Sequence, residues 1–530
     1  MTPDRRILFW WLLWLLSPAI AIAAPPPAVY PLAAGDHASK RFTLVANGVA
    51  VPVLAYTSRY DYAHFSADGA LTITIAVPES VRSWHISPQA EQIRARAGGQ
   101  HLTFRLPHAA YVIVKINALK ELAIAIDPLE RAVPPPSGVG IYNITAAPYS
   151  ADATGRTLAT RVVQRAIDDA HAAGGGIVYV PRGTFLSAGL ELRSNVSLYL
   201  AGGATLRSSG DPALFKVRYY KQSLKMRGTW FLWTQPNSRN IRIFGRGTID
   251  GNARELRGRN RCVNDLVVPL HTSHFTIDGV VLRDSGLWGL IPVRSDHIVI
   301  HNTKHFNEAN RFFEDDAVDI IESQDVLVSR SFAISEDDTY STKTWNEQTD
   351  MAGNWPGRPE PLENVTFEDC LAWSRCATFK VGFGCFQPQR KIVFRRCCVY
   401  RCMRAIAINH YWGNASVENV TFDHIDVEGF QPRQRDRDKC RWLDVNTASE
   451  GSIRNTILEN ITVRALGYEA SRIEGHDTKG MIDGMRFENV IVSDKLATSL
   501  KDLDVDVTNQ FVTGIVFVGQ AGASAPALRN

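Results

Sequence analysis

Long hydrophobic runs and clustered positive charge are both absent from most of this chain. Beyond residue 23 no stretch is apolar and long enough to cross a membrane, and no basic run is interleaved with aromatic residues. With 58 basic and 54 acidic residues the net charge is only +4, which argues against a nucleic-acid partner. Hydrophobic residues make up 45% of the 530 residues, which is ample core material for one elongated domain or for two.

Cysteine is scarce and is concentrated in one part of the sequence. Of the eight cysteines, seven lie in one half without the spacing of a zinc site: Cys370, Cys376, Cys385, Cys397, Cys398, Cys402 and Cys440. This pattern excludes a zinc finger, and the sequence predicts neither a metal centre nor a cofactor. Stacked turns could bring Cys376 next to Cys398, either as a disulfide bridge or as two buried thiols.

The first residues predict export from the cytoplasm. Arg5 and Arg6 precede an apolar run over residues 7–16, and small residues surround Ile22 before Ala24. This is the pattern of a secretory signal peptide over residues 1–24. A retained membrane anchor is the alternative, since the apolar segment approaches spanning length. We expect a secreted or periplasmic protein that is free of the membrane once the segment is removed.

Short alternating segments predict a small β-sandwich over residues 25–131. Residues 71–77, 103–106 and 110–116 alternate apolar with polar side chains and are separated by Gly, Pro and Asp. No chemical constellation stands out in this region, so we expect a structural role or one wall of a binding groove. The proline-rich stretch over residues 132–140 is typical of a linker.

One amphipathic helix follows the linker, in a segment that begins at Thr157. Its apolar face carries Val162, Val163, Ala166, Ile167 and Ala170, and three glycines at 174–176 end it. Strand patterns dominate from there to the end of the chain. We therefore expect the helix, over residues 157–172, to cap one end of a β structure.

An internal repeat determines the fold prediction for residues 141–530. Asn or Asp commonly precedes a short apolar strand, at Asn240-Ile241, Asp296-His-Ile298, Asp325-Val326, Asn364-Val365, Asn419-Val420, Asn460-Ile461 and Asn489-Val490, with related strands at Phe275 and Ile392. Steps of 23, 27, 28 and 39 residues separate consecutive members, which suits turns of a parallel β-helix with loop insertions. We predict an all-β chain with a right-handed parallel β-helix. An up-and-down barrel or a second sandwich is the alternative.

Two acidic clusters flank one of the predicted strands. Asp315 and Asp316 precede it, while Asp337 and Asp338 follow it 21 residues later, close to one short turn of the helix. Stacked turns lie about 4.8 Å apart, so the clusters should become neighbours on one face. Grouped carboxylates raise at least one pKa by repulsion and can supply the acid and base that cleave a glycosidic bond.

Three other readings of these acids stay open. They could be a solvated surface loop, or they could bind calcium as in the β-helix lyases, where a cation neutralises a uronate. They could also belong to a β-helix adhesin that binds glycans without cleaving them. Metal dependence and an unsaturated product would identify a lyase.

Residues 142–429 resemble glycoside hydrolase family 28, the polygalacturonases, within the clan that also holds the family 49 dextranases. The resemblance is carried by Tyr142-Asn-Ile-Thr, by Gly174-Gly-Gly-Ile-Val-Tyr-Val-Pro-Arg-Gly-Thr, by Ser194-Asn-Val-Ser-Leu-Tyr-Leu, by Gly245-Arg-Gly-Thr-Ile-Asp-Gly and by Ser285-Gly-Leu-Trp. The family's two acidic motifs fall on residues 314–316 and 336–338. The resemblance implies that Asp337 is the general acid, that Asp316 and Asp338 activate water, and that the anomeric carbon is inverted.

The same resemblance shows two departures. Cys376-Ala377-Thr378 stands where pectin-cleaving members have Gly-His-Gly, and Ala407-Ile408-Asn409 stands where they have Arg-Ile-Lys. The missing cations would bind a uronic carboxylate. We therefore expect a neutral glycan, most of all an α-glucan such as dextran, because the sandwich layout also resembles family 49. The alternative is a pectin-type polygalacturonase or rhamnogalacturonan hydrolase that takes its cation from Arg375, Lys380 or Arg404.

Further substrate contacts are predicted around the acids. Lys343 matches a family lysine that could orient a carboxylate, and Asp315 adjoins the catalytic acid. Residues 345–361 form a long insertion directly after the second cluster, and long loops on rigid stacks usually carry function. Aromatic rings stack on sugar faces. The predicted substrate-binding residues are Asp315, Lys343, Trp345, Trp355, His410 and Trp412.

Overall fold

A computed structural model describes residues 25–307 and 313–519 of the chain. The predicted signal peptide, residues 1–24, lies outside the described residues, so export stays a prediction. Within the described part, no helix has the length and hydrophobicity that a membrane crossing requires.

The N-terminal region folds as two β-sheets that face one another. Apolar side chains from both sheets, among them Phe65, Ile73, Phe104 and Ile124, form a separate core between them. One sheet contains Ala28–Val29, Val53–Leu54, Tyr60–Ser66, Trp84–Ser87, Tyr111–Ile116 and Glu121–Asp127. The other contains Thr43–Ala46, Val49–Val51, Leu71–Ala76, Ala95–Gly98 and His101–Leu106. The sandwich strands end at Asp127, and the next strand begins at Ile141.

The rest of the chain coils into three columns of stacked strands, which are nearly all parallel. The first column contains Ile141–Asn143, Gly176–Val180, Val196–Leu200, Arg239–Gly245, Ser273–Asp278, Asp296–His301, Gln324–Ser329, Leu362–Glu368, Gln389–Arg401, Val417–Val427, Ile453–Glu459, Ile482–Glu488, Val512–Thr513 and Val516–Val518. The second contains Thr154–Leu158, Gly183–Ser187, Ala204–Ser208, Thr248–Asp250, Val281–Arg283, Lys304–Phe306, Phe332–Ser335, Leu371–Ser374, Thr462–Val463, Ile491–Val492 and the antiparallel Lys495–Leu496. Gln389–Arg401 and Val417–Val427 continue from the first column into the second.

The third column forms the face that carries the acidic clusters. It contains Leu190–Leu192, Met226–Thr234 with the antiparallel Tyr219–Lys221, Cys262–Val268, Val318–Ile321, Tyr340–Thr344, Ala377–Cys385, Arg404–Trp412, Arg441–Thr447, Ser471–Glu474 and Val505–Val507. Single bridges through Leu290 join its two parts. Short helical turns occur at Gln89–Glu91, Pro212–Leu214, Arg254–Arg259, Ala352–Asn354 and Gln434–Lys439.

The register explains the repeat seen in the sequence. The apolar residues of the repeat stand directly over one another in the first column, in the order Ile241, Phe275, Ile298, Val326, Val365, Ile392 and Val420. The residue before each of them is left-handed, with φ between 53° and 59°. Asn, Asp and His tolerate that conformation better than other side chains. The Asn240 amide also donates to Asn195 on the preceding turn, at 3.0 Å.

Two members of the predicted repeat belong elsewhere. Ile461 and Val490 precede strands of the second column, Thr462–Val463 and Ile491–Val492. In the first column Val420 pairs with Thr456, which pairs with Met485. The prediction of one shared repeat position was therefore wrong for Ile461 and Val490. The residues before them, Asn460 and Asn489, have left-handed backbone and form an Asn ladder of their own at a different corner.

The predicted helix is present, but it begins later than the sequence suggested. It spans Thr160–Ala172, because Thr154–Leu158 pairs with Gly183–Ser187 as a strand. Its buried side chains, Val163, Ala166, Ile167 and Ala170, join the core of the first turns. The helix thus covers apolar side chains at the end of the stack, as a cap should.

The sandwich packs against the second column of the coil. Tyr60, Tyr62 and Tyr111 from the sandwich share an apolar cluster with Phe306 and Trp373. Buried charges join the two parts as well. Lys304 contacts Asp127 of the sandwich through its ammonium group, and Arg283 contacts Asp36 at 2.9 Å. The interface is therefore both apolar and ionic.

All eight cysteines are free thiols. Cys398 lies at the interface with the sandwich, 3.4 Å from a Glu428 oxygen and 3.7 Å from the Ser87 hydroxyl. Cys376 lies 3.5 Å from the Arg404 guanidinium. Of the two options for this pair, the structure favours separate thiols over a bridge.

Candidate active site

A cleft of about 590 Å³ lies on the outer face of the third column. The predicted catalytic acids line it together with residues of the insertion and of a distant hairpin. Its lining is Lys221, Gln222, Ser223, Trp288, Glu314, Asp316, Asp337, Asp338, Lys343, Trp345, Gln348, Thr349, Asp350, Met351, Lys380, Phe383, Phe386 and Trp412. The fold thus brings side chains from positions 221 to 412 into one place.

Strand stacking accounts for the meeting of the two acidic clusters. Val318–Ile321 pairs with Tyr340–Thr344, with Asp319 opposite Ser341 and Ile321 opposite Lys343. The turns that enter these strands therefore also lie one above the other. Asp316 comes from the first turn, and Asp337 and Asp338 come from the second. The predicted adjacency is observed.

Lys343 is the cation shared by the buried acids. Its ammonium nitrogen lies 2.6 Å from Asp316, 2.7 Å from Asp319 and 3.9 Å from Asp338, and 4.6 Å from the centre of the Trp288 ring. Burial raises the pKa of Asp316 well above its usual value, and repulsion from Asp319 adds to the effect. Lys343 is one positive charge between Asp316 and Asp319, whose pKa values are both raised, so this pair favours retaining a proton.

Asp338 is held in the opposite state by a second lysine. The Lys380 ammonium lies 2.7 Å from its carboxylate. Burial would raise the pKa of Asp338, but Lys380 and then Lys343 outweigh burial, and the pKa is lowered. The pKa of Asp316 is thus raised and that of Asp338 is lowered, so Asp338 is the better proton acceptor of the two.

Asp337 is the most exposed of the three catalytic candidates, with 18% of its side chain accessible, against 5% for Asp316 and 2% for Asp338. Its Oδ2 accepts a hydrogen bond from the Glu314 amide at 3.0 Å. Oxygen atoms of Asp337 and Asp338 lie within 4.8 Å of each other and of the Cys376 sulfur. Asp337 therefore faces the cleft at its acidic end, where a substrate oxygen could approach it.

Asp337, Asp338 and Cys376 could be considered as metal ligands, because they offer ligand atoms within 4.8 Å of one another. However, Lys380 already occupies one oxygen of Asp338 at 2.7 Å, and Arg404 contacts the thiol at 3.5 Å. Burial raises the pKa of Cys376 above its ordinary range, with repulsion from the two acids adding to it, whereas metal binding requires the thiolate. The contacts with Lys380 and Arg404 and the raised pKa of the thiol therefore favour hydrogen bonding by these side chains over binding of a metal ion.

Asp315 lies behind the cleft. It is 1% exposed, and its Oδ1 accepts hydrogen bonds from the backbone amides of Glu336 and Asp337, both at 3.0 Å. Asp315 therefore holds the second acidic turn over the first. Contrary to the prediction of a substrate contact, it does not line the cleft.

Trp355 and His410 also lie away from the cleft surface. Trp355 is 6% exposed, with its ring 5.9 Å from the Arg294 guanidinium. His410 is fully buried, and its ring nitrogens lie 2.6 Å from the Ala415 carbonyl and 2.6 Å from the Ser449 hydroxyl. Packing occupies both side chains, so neither takes the predicted substrate contact in this structure.

The other predicted contacts line the cleft and form an aromatic wall. Trp412 is half exposed, and its ring centre lies 5.6 Å from those of Trp345 and Phe383. Phe386 lies 6.4 Å from Trp345. Flat aromatic faces beside carboxylates are suited to the C–H faces of a sugar ring.

Ala407 and Asn409, which stand where the pectin-cleaving enzymes have cations, have neighbours of their own within the third column. Ala407 stands opposite Lys380 and Asp444 in register. The Asn409 amide donates to Asp444 at 3.2 Å, and Arg404 contacts the same Asp444 at 3.2 Å. This stretch is an internal hydrogen-bonded network rather than a cationic wall.

Some cleft residues were missed by the sequence reasoning. Lys380 was considered only as a uronate ligand, although alternation along Ala377–Cys385 places it on the outer face with Asp338. Alternation could not have found Phe383 and Phe386, because Phe383 is an odd number of residues from Lys380, the strand register shifts beside it, and Phe386 lies beyond the end of the strand. Lys221, Gln222 and Ser223 carry no local signal, because a hairpin more than ninety residues upstream brings them to the cleft.

Comparison with known proteins supports the fold. An exo-poly-alpha-D-galacturonosidase of Dickeya chrysanthemi is 31% identical over 157 residues, which are 27% of this chain and 25% of that protein. The match thus spans about a quarter of the relative's length. No protein-family model matches the chain.

Two solved structures share the architecture. A hyperthermoactive exopolygalacturonase from Thermotoga maritima aligns with a TM-score of 0.53 at 17% identity, over 72% of this chain and 92% of the other. A family 28 exopolygalacturonase from Yersinia enterocolitica aligns with a TM-score of 0.51 at 14% identity, over 88% and 97%. The predicted right-handed parallel β-helix, and the resemblance to this group of β-helix hydrolases in fold, are confirmed.

We predict that replacing Lys343 by Met destabilises the protein in a pH-dependent way. Without the lysine, the pKa values of Asp316 and Asp319 rise further above those of the unfolded chain. A carboxyl with a raised folded pKa opposes folding above its unfolded value, near about 4, and this effect disappears as the pH falls below it. The loss, about 3–5 kcal/mol near neutral pH, should shrink on acidification.

Melting temperatures of Lys343→Met and the wild type, measured at several pH values, test this expectation. Lys391→Met is the matched control, because Lys391 forms an exposed pair with Glu363 at 2.7 Å and such pairs contribute little. An equal, pH-independent loss in both variants would contradict the shared role of Lys343.

Proposed function

We propose that this protein is a glycoside hydrolase in which Asp337 is the general acid and Asp316 and Asp338 activate the attacking water. The observation that carries the proposal is the meeting of three carboxyl groups with unlike environments at one end of an aromatic-lined cleft. The β-helix fold shared with the exopolygalacturonases supports it. Export to the periplasm or the medium, as the first residues predict, would bring such an enzyme to its polymer.

The proposed mechanism uses the roles that the family resemblance implies for the three acids. Asp337 gives its proton to the glycosidic oxygen as the C–O bond breaks. Asp338, which Lys380 keeps ionised, takes a proton from the water that forms the new bond to the anomeric carbon. Asp316 hydrogen-bonds the same water. Attack opposite the leaving group inverts the anomeric carbon; the spacing rule for carboxylates is a weaker guide in these relatives.

The charge of the cleft supports a neutral substrate. Three lysines and five carboxylates line it. Each of the lysines already contacts a protein carboxylate: Lys221 contacts Glu314 at 3.1 Å, Lys343 contacts Asp316 and Asp319, and Lys380 contacts Asp338. A uronate would enter an acidic cleft without an uncommitted lysine on its lining, which costs desolvation without a paired charge. We therefore propose a neutral glycan, with α-glucans as the first candidates.

A galacturonide is the second candidate, because the relatives named above are galacturonosidases. The alternative cations considered from the sequence have acidic neighbours in the structure: Arg375 lies 3.7 Å from Glu336, Lys380 lies 2.7 Å from Asp338 and Arg404 lies 3.2 Å from Asp444. A uronate would have to share one of these cations. This sharing makes the galacturonide second rather than first.

We also propose cleavage from a chain end, because lining residues from separate segments of the chain contact one another. The hairpin that contains Tyr219–Lys221 reaches the insertion after Tyr340–Thr344: the Gln222 amide donates to Asp350 at 2.8 Å, and Lys221 lies 3.8 Å from the same carboxylate. Lys221 also contacts Glu314 at 3.1 Å. Since all four residues line the cleft, their contacts form a clasp across it.

Replacing Asp337 by Asn should remove the proton donor while preserving shape. We expect hydrolysis to fall by about 10²–10⁴-fold with an unchanged melting temperature. Asp316→Asn and Asp338→Asn should lose activity likewise, but Asp338→Asn should also melt at a lower temperature, because it leaves the buried Lys380 ammonium without its nearest carboxylate. Reducing-end assays on the purified variants measure the effect. If only Asp338→Asn lost activity, the assignment of the acid and of the water-activating pair would be wrong.

A polysaccharide panel decides the substrate class. We expect reducing ends to be released from a neutral glycan, dextran or pullulan among them, and little from polygalacturonate. Nuclear magnetic resonance of the first-formed product should show inversion. Strong activity on polygalacturonate, with the neutral glucans untouched, would replace the first candidate by the second.

Opening the clasp should alter the product pattern. Asp350→Ala removes the acceptor for the Gln222 backbone amide and for Lys221, so longer substrate segments could pass the clasp. The wild type should release short products with slow loss of viscosity, and Asp350→Ala should lower viscosity faster for the same number of reducing ends. Asp506→Ala, an exposed acid of the C-terminal turns, is the control. Rapid viscosity loss by the wild type would refute chain-end cleavage.

A further inference from the structure

A loop of the N-terminal sandwich reaches the turn that carries Asp337. Arg59 donates through Nη1 to the Glu336 carboxylate at 2.7 Å. Two tyrosines that flank Arg59 in the sequence also contact the β-helix. The Tyr60 hydroxyl donates to the Asn307 carbonyl at 2.6 Å, and the Tyr56 hydroxyl donates to the Phe306 carbonyl at 2.7 Å. The contact with Glu336 therefore belongs to a docked loop rather than to one long side chain.

The loop is itself fixed within the sandwich. Asp61 accepts hydrogen bonds from the Tyr56 amide at 2.9 Å and from the Ser39 hydroxyl at 2.7 Å, and Lys120 contacts it at 2.5 Å. Arg59 also lies over the Trp373 ring, 4.6 Å from its centre. Little conformational freedom is left for Arg59 to lose on forming its ion pair.

Several contacts besides that of Arg59 hold the turn that carries Asp337. Asp315 accepts from the backbone amides of Glu336 and Asp337, and the hydroxyls of Ser335 and Ser374 donate to the Asp337 carbonyl at 2.7 Å. The Glu314 amide donates to the Asp337 carboxylate, and Arg433 donates to the Glu336 carbonyl and lies 3.9 Å from the Asp337 carboxylate. The Glu336 side chain adds the contact with the sandwich.

Glu336 is nearly buried, at 4% exposure, and its shortest ion pair is the one with Arg59. Arg375 and Arg433 lie farther away, at 3.7 Å each. Burial lowers the pKa of Arg59 to about 10, which still leaves the guanidinium charged at neutral pH. Removing Arg59 would leave a buried carboxylate with its two longer contacts, directly beside the proton donor.

We propose that the sandwich completes the active site, with Arg59 acting as a positioning residue that holds Asp337 through Glu336. The proposal rests on the role of Asp337 given above. Arg59 does not line the cleft, so it contributes through the orientation of the acid and not through contact with substrate. Small displacements of a catalytic group can cost about a hundredfold in rate.

Replacing Arg59 by Met keeps the aliphatic stem and removes the charge. We expect kcat to fall about 10–100-fold, with KM changed less than about twofold because the cleft lining is untouched. Arg59→Lys should recover part of kcat, since a lysine can reach Glu336 but cannot form the same planar contact. Arg41→Met is the control, as Arg41 is an exposed arginine of the same domain.

A double-mutant cycle with Glu336→Gln separates positioning from general support of the interface. If Arg59 acts through Glu336, Arg59→Met combined with Glu336→Gln should be no slower than the worse single variant. Losses that multiply would overturn the proposal. An Arg59→Met enzyme with wild-type kcat would overturn it too.

Hydrogen exchange gives a readout that does not depend on catalysis. In the wild type the amides of Glu336 and Asp337 are bonded to Asp315, so they should exchange slowly. Arg59→Met should speed their exchange while strands of the sandwich core keep their protection. If the wild type cleaves no glycan, the proposed function fails, and this measurement still decides whether Arg59 holds the turn. Unchanged exchange in Arg59→Met would refute the inference.

Discussion

Parallel in-register stacking is the constraint on which the rest of this structure depends. Each turn lies about 4.8 Å above the last, so the side chain found at a given corner is decided by the number of residues in the turn. The step of 22 residues between Asp319 and Ser341 stacks the turn of Asp337 and Asp338 on the turn of Asp315 and Asp316, and the next turn sets Lys380 opposite Ser341. The chemistry of the cleft is thus a consequence of turn length.

Stacking of like charges has a cost, and two lysines offset it. Lys343 forms ion pairs with Asp316 and Asp319, whereas Lys380 forms an ion pair with Asp338. Because each cation favours the ionised form of its nearest acid, their placement separates a carboxyl with a raised pKa from one with a lowered pKa. The same contacts leave the lysines of the lining poorly placed to receive an anionic sugar, which is the basis of the proposal of a neutral glycan.

Much of this could be predicted from the sequence, because periodicity is written into it. The repeat, the meeting of the acids and the capping helix follow from spacing and from the tolerance of Asn and Asp for left-handed backbone. Side-chain direction at irregular corners does not follow: Asp315 turns inward to bind amides, and His410 is packed. Nor does spacing show contacts between separate units, such as those of Lys221 with Glu314 or of Arg59 with Glu336.

The corner that carries Asp337 lies outside the ladder that orders the strands. Residues 336–339 connect Phe332–Ser335 to Tyr340–Thr344, and the strand ladders around them leave the orientation of the Asp337 side chain open. A β-helix therefore fixes the height of such a corner but not its direction. Here the Glu314 amide donates to the Asp337 carboxylate, Asp315 bonds the backbone of the turn, and the sandwich reaches the same turn through Arg59 and Glu336. An added domain that docks beside the corner supplies what strand stacking alone cannot.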